Sequence, residues 1–245
     1  MMKLYSLILI ALITLLGLMQ SLPARELTGA DALDALGSYI AEIEAQESRQ
    51  DSSTDRALQK AYNAWRNGEL SRAVRLYEDA CYDDNMGACH ALGTLYFQGS
   101  GVAQNYSMSA SYYYKACMGG FSPACNSLGI LHHFGLGVRQ DYSLALNLYA
   151  QSCKSGYGRA CNNVGVMFEE GLGVKKNYKQ AGLYYADSCL VRDDRACFNL
   201  AELLSKGKGM KKDKQKAMEY YGLSCDFGLQ EGCEMYRAFK LKEEK

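Results

Sequence analysis

The sequence is poor in most of the residues and spacings that announce chemistry. It holds two prolines and three histidines in 245 residues, and 27 basic residues balance 27 acidic ones. So few prolines leave long helical runs uninterrupted. His90, His132 and His133 make no His-x-His or His-Glu-x-x-His array, which removes the usual zinc-enzyme signatures. No Cys-x-x-Cys spacing occurs, so a thiol redox site is not indicated either. A net formal charge of zero gives no support to a nucleic-acid role. No metal or cofactor is expected.

Long apolar runs are also scarce: the one that exists, Leu4 to Met19, follows Lys3 and precedes Ser21-Leu22-Pro23-Ala24. It is short for a membrane span of about 20 residues, no second such run follows, and the pattern reads as a secretory signal peptide over 1–24. After export no stable membrane span is expected. Residues 25–54 carry Leu33, Leu36, Ile40 and Ile43 on one helical stripe, with Thr28 or Asp31 as its cap, and end in a polar linker over 49–54.

What the chain has in abundance is order. Its ten cysteines fall at 81, 117, 153, 189 and 225, and again at 89, 125, 161, 197 and 233, two ladders with one 36-residue step. Ala88, Ala124, Ala160 and Ala196 keep that step, as do two glycine series, Gly99, Gly135, Gly171, Gly207 and Gly101, Gly137, Gly173, Gly209. A fixed period of this length marks a stacked repeat protein.

Each unit holds two helical runs. The first, as in 160–170, ends at Gly171-Leu172-Gly173, where glycine supplies a left-handed cap. The second starts after Asn105, Asp141, Asn177 or Asp213, all good N-caps. Neither helix can bury its apolar stripe alone, so neighbours must stack on it. The Gly-x-Gly loops follow no strand, so they read as caps and not as phosphate cradles.

Two cysteines eight apart on one helix would lie about 12 Å apart, too far for a disulfide. A turn must intervene, and glycines or Asp/Asn clusters stand between each pair. The expected bridges are therefore Cys81–Cys89, Cys117–Cys125, Cys153–Cys161, Cys189–Cys197 and Cys225–Cys233. Each ties the end of one unit's second helix to the start of the next unit's first. An even count of evenly spaced cysteines behind a signal peptide fits an oxidising compartment.

The unit from Asp55 to Ala80 lacks cysteine. Its pattern of Ala61, Tyr62, Ala73, Tyr77 and Ala80 resembles a tetratricopeptide motif. Three units and most of a fourth with Gly-x-Gly loops are expected after it, then a capping helix near 229–241. The expectation over 55–245 is one all-α solenoid.

The run Ala-Cys-x-x-Leu-Gly-x-Leu-Tyr-x-x-Gly-x-Gly-Val from Ala88 to Val102, and Asp-Tyr-x-x-Ala from Asp141 to Ala145, resemble the Sel-one-like repeat (SLR). With the added cysteine pairs behind a signal peptide, the chain is similar to the cysteine-rich SLR proteins of Helicobacter and relatives. Ala201, where other units have Gly93, Gly129 and Gly165, departs from the pattern. The resemblance implies a TPR/SLR-type right-handed α-α superhelix, secreted or periplasmic, that serves as a protein-interaction scaffold. It also implies weak β-lactamase or penicillin-binding activity as an alternative, with β-lactams or cell-wall fragments as ligands. The residues lend that alternative little: only Ser205-Lys206-Gly207-Lys208 sets a Lys one helical turn after a Ser, at the end of a first helix, and no Ser-Asp-Asn or Lys-Thr-Gly element accompanies it. No catalytic residue can be assigned.

Binding has a better sequence argument. In stacked helix pairs one set of helices lines a concave face, here the first helices. On them His90, Asn126 and Asn162, then Asn163 and Asn199, then His133 and Glu169 occupy slots whose identity changes from unit to unit. Asparagine can both donate to and accept from a peptide backbone. The expected partner is a peptide or protein in the periplasm or outside the cell. His132 shares its slot with Tyr96 and Phe168 and is expected in the packing, while His133 is expected at the surface. The recurring Tyr112 to Tyr114, Tyr149, Tyr184, Tyr185, Tyr220 and Tyr221 read as core. Arg139, Lys175, Lys176, Lys206, Lys208, Lys211, Lys212, Lys214 and Lys216 make one loop edge more basic towards the C-terminus.

Overall fold

The computed structural model describes residues 55–243. The expected signal peptide of 1–24 and the expected amphipathic stripe of 25–54 lie outside the described residues. Within them the chain forms eleven helices and no strand. The first, α1, covers 55–66, and α2 is Leu70–Tyr82. Four complete pairs follow, not three and a part: α3 Met86–Gln98 with α4 Tyr106–Met118, α5 Ser122–Phe134 with α6 Tyr142–Lys154, α7 Gly158–Glu170 with α8 Tyr178–Leu190, and α9 Asp194–Lys206 with α10 Lys214–Asp226. A single helix, α11 Gln230–Glu243, closes the stack.

The local chemistry fixes each boundary. Gly99, Gly135, Gly171 and Gly207 end the first helices at φ of 68 to 78°. The side chains of Asn105, Asp141, Asn177 and Asp213 then accept the N–H three residues on at 2.9–3.1 Å and start the second helices. Within a unit the paired helices meet over a glycine: a Cβ on Gly93, Gly129 or Gly165 would fall 2.4 to 2.7 Å from the ring of Tyr113, Tyr149 or Tyr185. These tyrosines and Tyr221 are buried. In the fourth unit Ala201 fills the glycine slot, and the Tyr221 ring packs instead against Phe198 and Phe239, with centroids 5.4 and 5.3 Å away.

Two kinds of joint connect the units. At one edge each second helix ends in a turn whose residue at 85, 121, 157, 193 or 229 donates its N–H five residues back, to the carbonyl of 80, 116, 152, 188 or 224. The residue before it has positive φ: Gly120, Gly156 and Gly228, but also Asp84 and Arg192. Where a side chain occupies this unfavourable position, the next residue is a capping Asn85 or Asp193, which accepts the N–H of Ala88 or Ala196 at 2.9 Å. The turn brings the cysteines together, and all five expected pairs are bridged with Cα atoms 4.5 to 4.8 Å apart. At the opposite edge the second glycine of each Gly-x-Gly loop rests on the start of the preceding unit's second helix. This contact goes beyond capping, the role the sequence suggests for the loops.

Candidate functional site

The first helices of successive units touch side by side, α7 meeting both α5 and α9. Their shared face carries a diagonal ladder of polar side chains. His90 Nε2 lies 3.2 Å from Ser127 Oγ, Asn163 Nδ2 donates to Asn126 Oδ1 at 2.8 Å, and Asn199 Nδ2 donates to Asn162 Oδ1 at 3.0 Å. Each rung joins one slot to the following slot of the next unit, a separation of 37 residues against the 36-residue period. Asn126 and Asn162 are 6% and 9% exposed, so these two read their neighbours before they could read a ligand. Asn163, Asn199 and His90 are half-buried.

The rungs give Asn126 and Asn162 a part in holding the units together, besides the face on which the sequence places them. Asn126→Ala strands the Asn163 amide and is expected to cost about 1 kcal/mol. In a double-mutant cycle by urea denaturation, Asn126 should couple to Asn163 by about 0.5–1.5 kcal/mol and to Asn199 by nearly nothing.

The histidines are packing residues. His90 lies between the rings of Tyr113 and Phe121, both 5.3 Å away, and burial pushes its pKa down. His133, expected at the surface, is half-buried against Phe134, Tyr142 and Tyr149, with centroids at 4.4, 5.5 and 6.3 Å. Burial lowers its pKa too, against the pull of Glu170. The surface expectation missed the aromatic side chains that α6 and Phe134 bring over this slot. His132 is half-buried with Nδ1 3.3 Å from the Arg139 carbonyl. Among the described residues no group of three His, Cys, Asp or Glu could hold a metal.

Two depressions open on the first-helix face. One, of about 230 Å³, is lined by Glu169, Phe198, Asn199, Glu202, Leu203, Lys206 and Lys208 at the α7–α9 junction. Tyr185 O–H donates to Glu169 Oε2 at 2.9 Å, and both Tyr221 O–H and Lys206 Nζ donate to the Glu202 carboxylate. Burial pushes the Glu202 carboxyl up, but the bonds from Lys206 and Tyr221, with the Lys206 and Lys208 charges, bring it below the ordinary range. Burial first, then Glu169, raises the Tyr185 phenol. The second depression, of about 480 Å³, is lined by Asp55, Leu58, Gln59, Tyr62, Tyr77 and Ala91. The Tyr62 ring beside it stacks on Trp65 at 5.9 Å.

Sequence reasoning placed Glu169 and Asn199 on this face but missed Glu202, Gln59 and Tyr62. Asn199, Glu202 and Lys206, spaced three and four apart on α9, were a legible helical stripe. Ser205 Oγ donates to the Glu202 carbonyl at 3.0 Å, while the Lys208 ammonium lies 5.1 Å from the centre of the Tyr178 ring. Ser205 and Lys208 therefore form no nucleophile–base pair. The face offers carboxylates, amides, phenols and rings.

The Sel1 repeat profile matches residues 87–121, 122–157, 158–187 and 194–227. No curated protein matches the chain. Among solved structures, a protective antigen of uropathogenic Escherichia coli displaying an SLR fold is 28% identical with a TM-score of 0.62, over 68% of this chain and 36% of that one. A Sel1 repeat protein from Oxalobacter formigenes is 27% identical with a TM-score of 0.65, over 68% of this chain and 66% of that one. Helicobacter pylori cysteine rich protein B is 25% identical with a TM-score of 0.42, over 51% of this chain and 90% of its own. The chain thus spans 36% of the Escherichia coli protein's length and 66%, just under two thirds, of the Oxalobacter protein's.

Proposed function

Because the chain belongs to the Sel1 repeat family, we propose that it is an exported scaffold that captures a peptide or protein segment along the concave face of its first helices. The observation that carries this reading is the α7–α9 depression, where Glu169, Asn199 and Glu202 stand beside Phe198 on one continuous helical face. A fixed frame with side chains that change from unit to unit suits the reading of an extended segment. Five intrachain disulfides mark an oxidising, extracytoplasmic environment. The bridges and the signal-like 1–24 segment support secretion or a periplasmic location. Among the described residues no helix is long and apolar enough to cross a membrane. The β-lactamase alternative has no nucleophile–base pair to rest on at Ser205.

Site-specific photo-crosslinking tests the reading. A photoreactive residue at Asn163 or Lys206, on the binding face, should give one dominant adduct in cells, mapping to one segment of one partner. The same residue at Leu183, which is 54% exposed on a second helix, should not. Equal adducts from both faces, or none from the first-helix positions, would remove the groove assignment.

A further inference from the structure

The loop edge of the stack has a property that the binding face does not use. The loops joining first to second helices hold successive units in register, so the same slots stack from loop to loop. Residues 99–105 carry no charge, 135–141 carry Arg139 and Asp141, 171–177 carry Lys175 and Lys176, and 207–213 carry Lys208, Lys211, Lys212 and Asp213. The 36-residue step sets Lys175 in the slot of Lys211 and Lys176 in that of Lys212. All four are exposed, as are Lys179, Lys214 and Lys216 at the adjoining starts of α8 and α10.

The two loops converge physically. A Cβ on Gly209 would fall 2.5 Å from the backbone of Tyr178 and Lys179, and the ammonium groups of Lys176 and Lys208 lie 5.2 and 5.1 Å from the centre of the same Tyr178 ring. Like charges are thus stacked on like charges. The ion pairs Arg72–Glu69, Lys115–Asp84 and Lys206–Glu202 include no lysine of these loops. Asp213, the one acid of these two loops, is used as the cap of α10.

We propose that this edge is an adsorption surface for the anionic headgroups of a phospholipid membrane. Three features favour a flat, hydrated array of anions. From Lys175 onward every cation of these loops is lysine, a hydrated point charge and not the planar fork that recognises single phosphates bidentately. Leu172, Val174 and Met210 are half-buried, so the loops offer no exposed apolar wedge to insert and no exposed aromatic platform on which nucleic-acid bases could stack. The patch is two loops wide and open: of its lysines only Lys208 reaches either depression of the binding face. The edge would lay the solenoid on a membrane and leave the first-helix face free.

Vesicle sedimentation of the purified, disulfide-bonded protein tests this. With phosphatidylcholine vesicles containing about a third phosphatidylglycerol, binding is expected at about 0.05 M salt and loss at about 0.5 M, where screening is severe. Pure phosphatidylcholine should bind nothing. Each lysine near such a surface strengthens adsorption about five-fold, so Lys175→Gln/Lys211→Gln/Lys214→Gln should weaken it about 100-fold. Lys60→Gln/Lys154→Gln/Arg159→Gln changes the net charge equally at exposed positions on α1 and at the disulfide edge and should leave binding within about two-fold. Circular dichroism checks that both triple variants are folded. Equal losses in the two, absence of binding at low salt, or stronger binding to soluble polyphosphate than to the vesicles would each overturn the proposal, the last in favour of a polymer.

Discussion

Replacing Cys153 and Cys161 together by alanine is expected to lower the free energy of unfolding by about 2–3 kcal/mol. The bridge spans eight residues of sequence, and closing so short a loop in the unfolded chain removes that much entropy in the chain-entropy account. The turn it spans is already shaped by the Tyr157 N–H to Ser152 carbonyl bond and by Gly156 in the left-handed region, so the bridge imposes little new geometry on the folded state. What it adds is covalent coupling between units. In a stacked array stability is roughly a sum of unit terms and nearest-neighbour terms, and the bridge acts at the point where neighbours meet.

Position along the stack should therefore matter more than local chemistry. Removing Cys225–Cys233 frees only α11 from α10, and fraying of one terminal helix should leave the main urea transition almost in place. Removing Cys153–Cys161 loosens the middle, where α7 packs on α6 and α8, and should lower both the midpoint and the steepness of the transition. Full reduction should be worse than any single pair, since about 2–3 kcal/mol per bridge approaches the whole stability of an ordinary domain. The decisive comparison is the pair of urea curves for the two double mutants, read by far-UV circular dichroism. Identical shifts would mean that the bridges act locally and not through coupling between units.

The period made most of this architecture legible before any coordinates. A 36-residue step in cysteine, alanine and glycine left few arrangements in which an eight-residue cysteine spacing could close, and the helix pairs, caps and bridges all follow from it. The proposed binding face was less legible because a variable slot has two physical causes. Asn126 and Asn162 vary from the other units' residues, yet they lie in the unit-to-unit seam, where the 37-residue rungs need a sequence partner one slot further on. Variation there reflects paired packing as much as exposure. His133 misled in the same way, since its burial comes from rings on α6 and from Phe134, which its own slot does not display. Tyr62 and Gln59 were hidden because α1 stands outside the cysteine register.

The glycines divide the remaining responsibility, and a three-residue series is expected to show it. Gly156 has φ of 89° with nothing within 4 Å of an added Cβ, so Gly156→Ala should cost only the left-handed backbone penalty, about 1–2 kcal/mol. Gly171 adds a tight neighbour, with the Lys176 Cβ at 3.1 Å and its backbone nitrogen at 3.3 Å, which must give by a few tenths of an ångström, and should cost slightly more. Gly173→Ala should be the most damaging of the three. Its φ is 67° and its Cβ would fall 2.6 Å from the carbonyl carbon and 2.7 Å from the oxygen of Tyr142, main-chain atoms at the start of α6 that cannot rotate away. The loop must lift from the preceding unit, and a total near 4 kcal/mol is expected, the backbone penalty plus an overpacking cost of about 1–3 kcal/mol. Because that contact fixes how close one unit's loop edge comes to the last, the substitution should also change the angle between α5 and α7, and with it the spacing of Asn126 and Asn163. Chemical denaturation gives the order, and loss of the coupling between Asn126 and Asn163 in a Gly173→Ala background tests the geometric part. Equal costs for Gly156→Ala and Gly173→Ala would show that the second loop glycine is conserved in the repeat pattern for its φ alone, and that the loop contact does not set the register of the face.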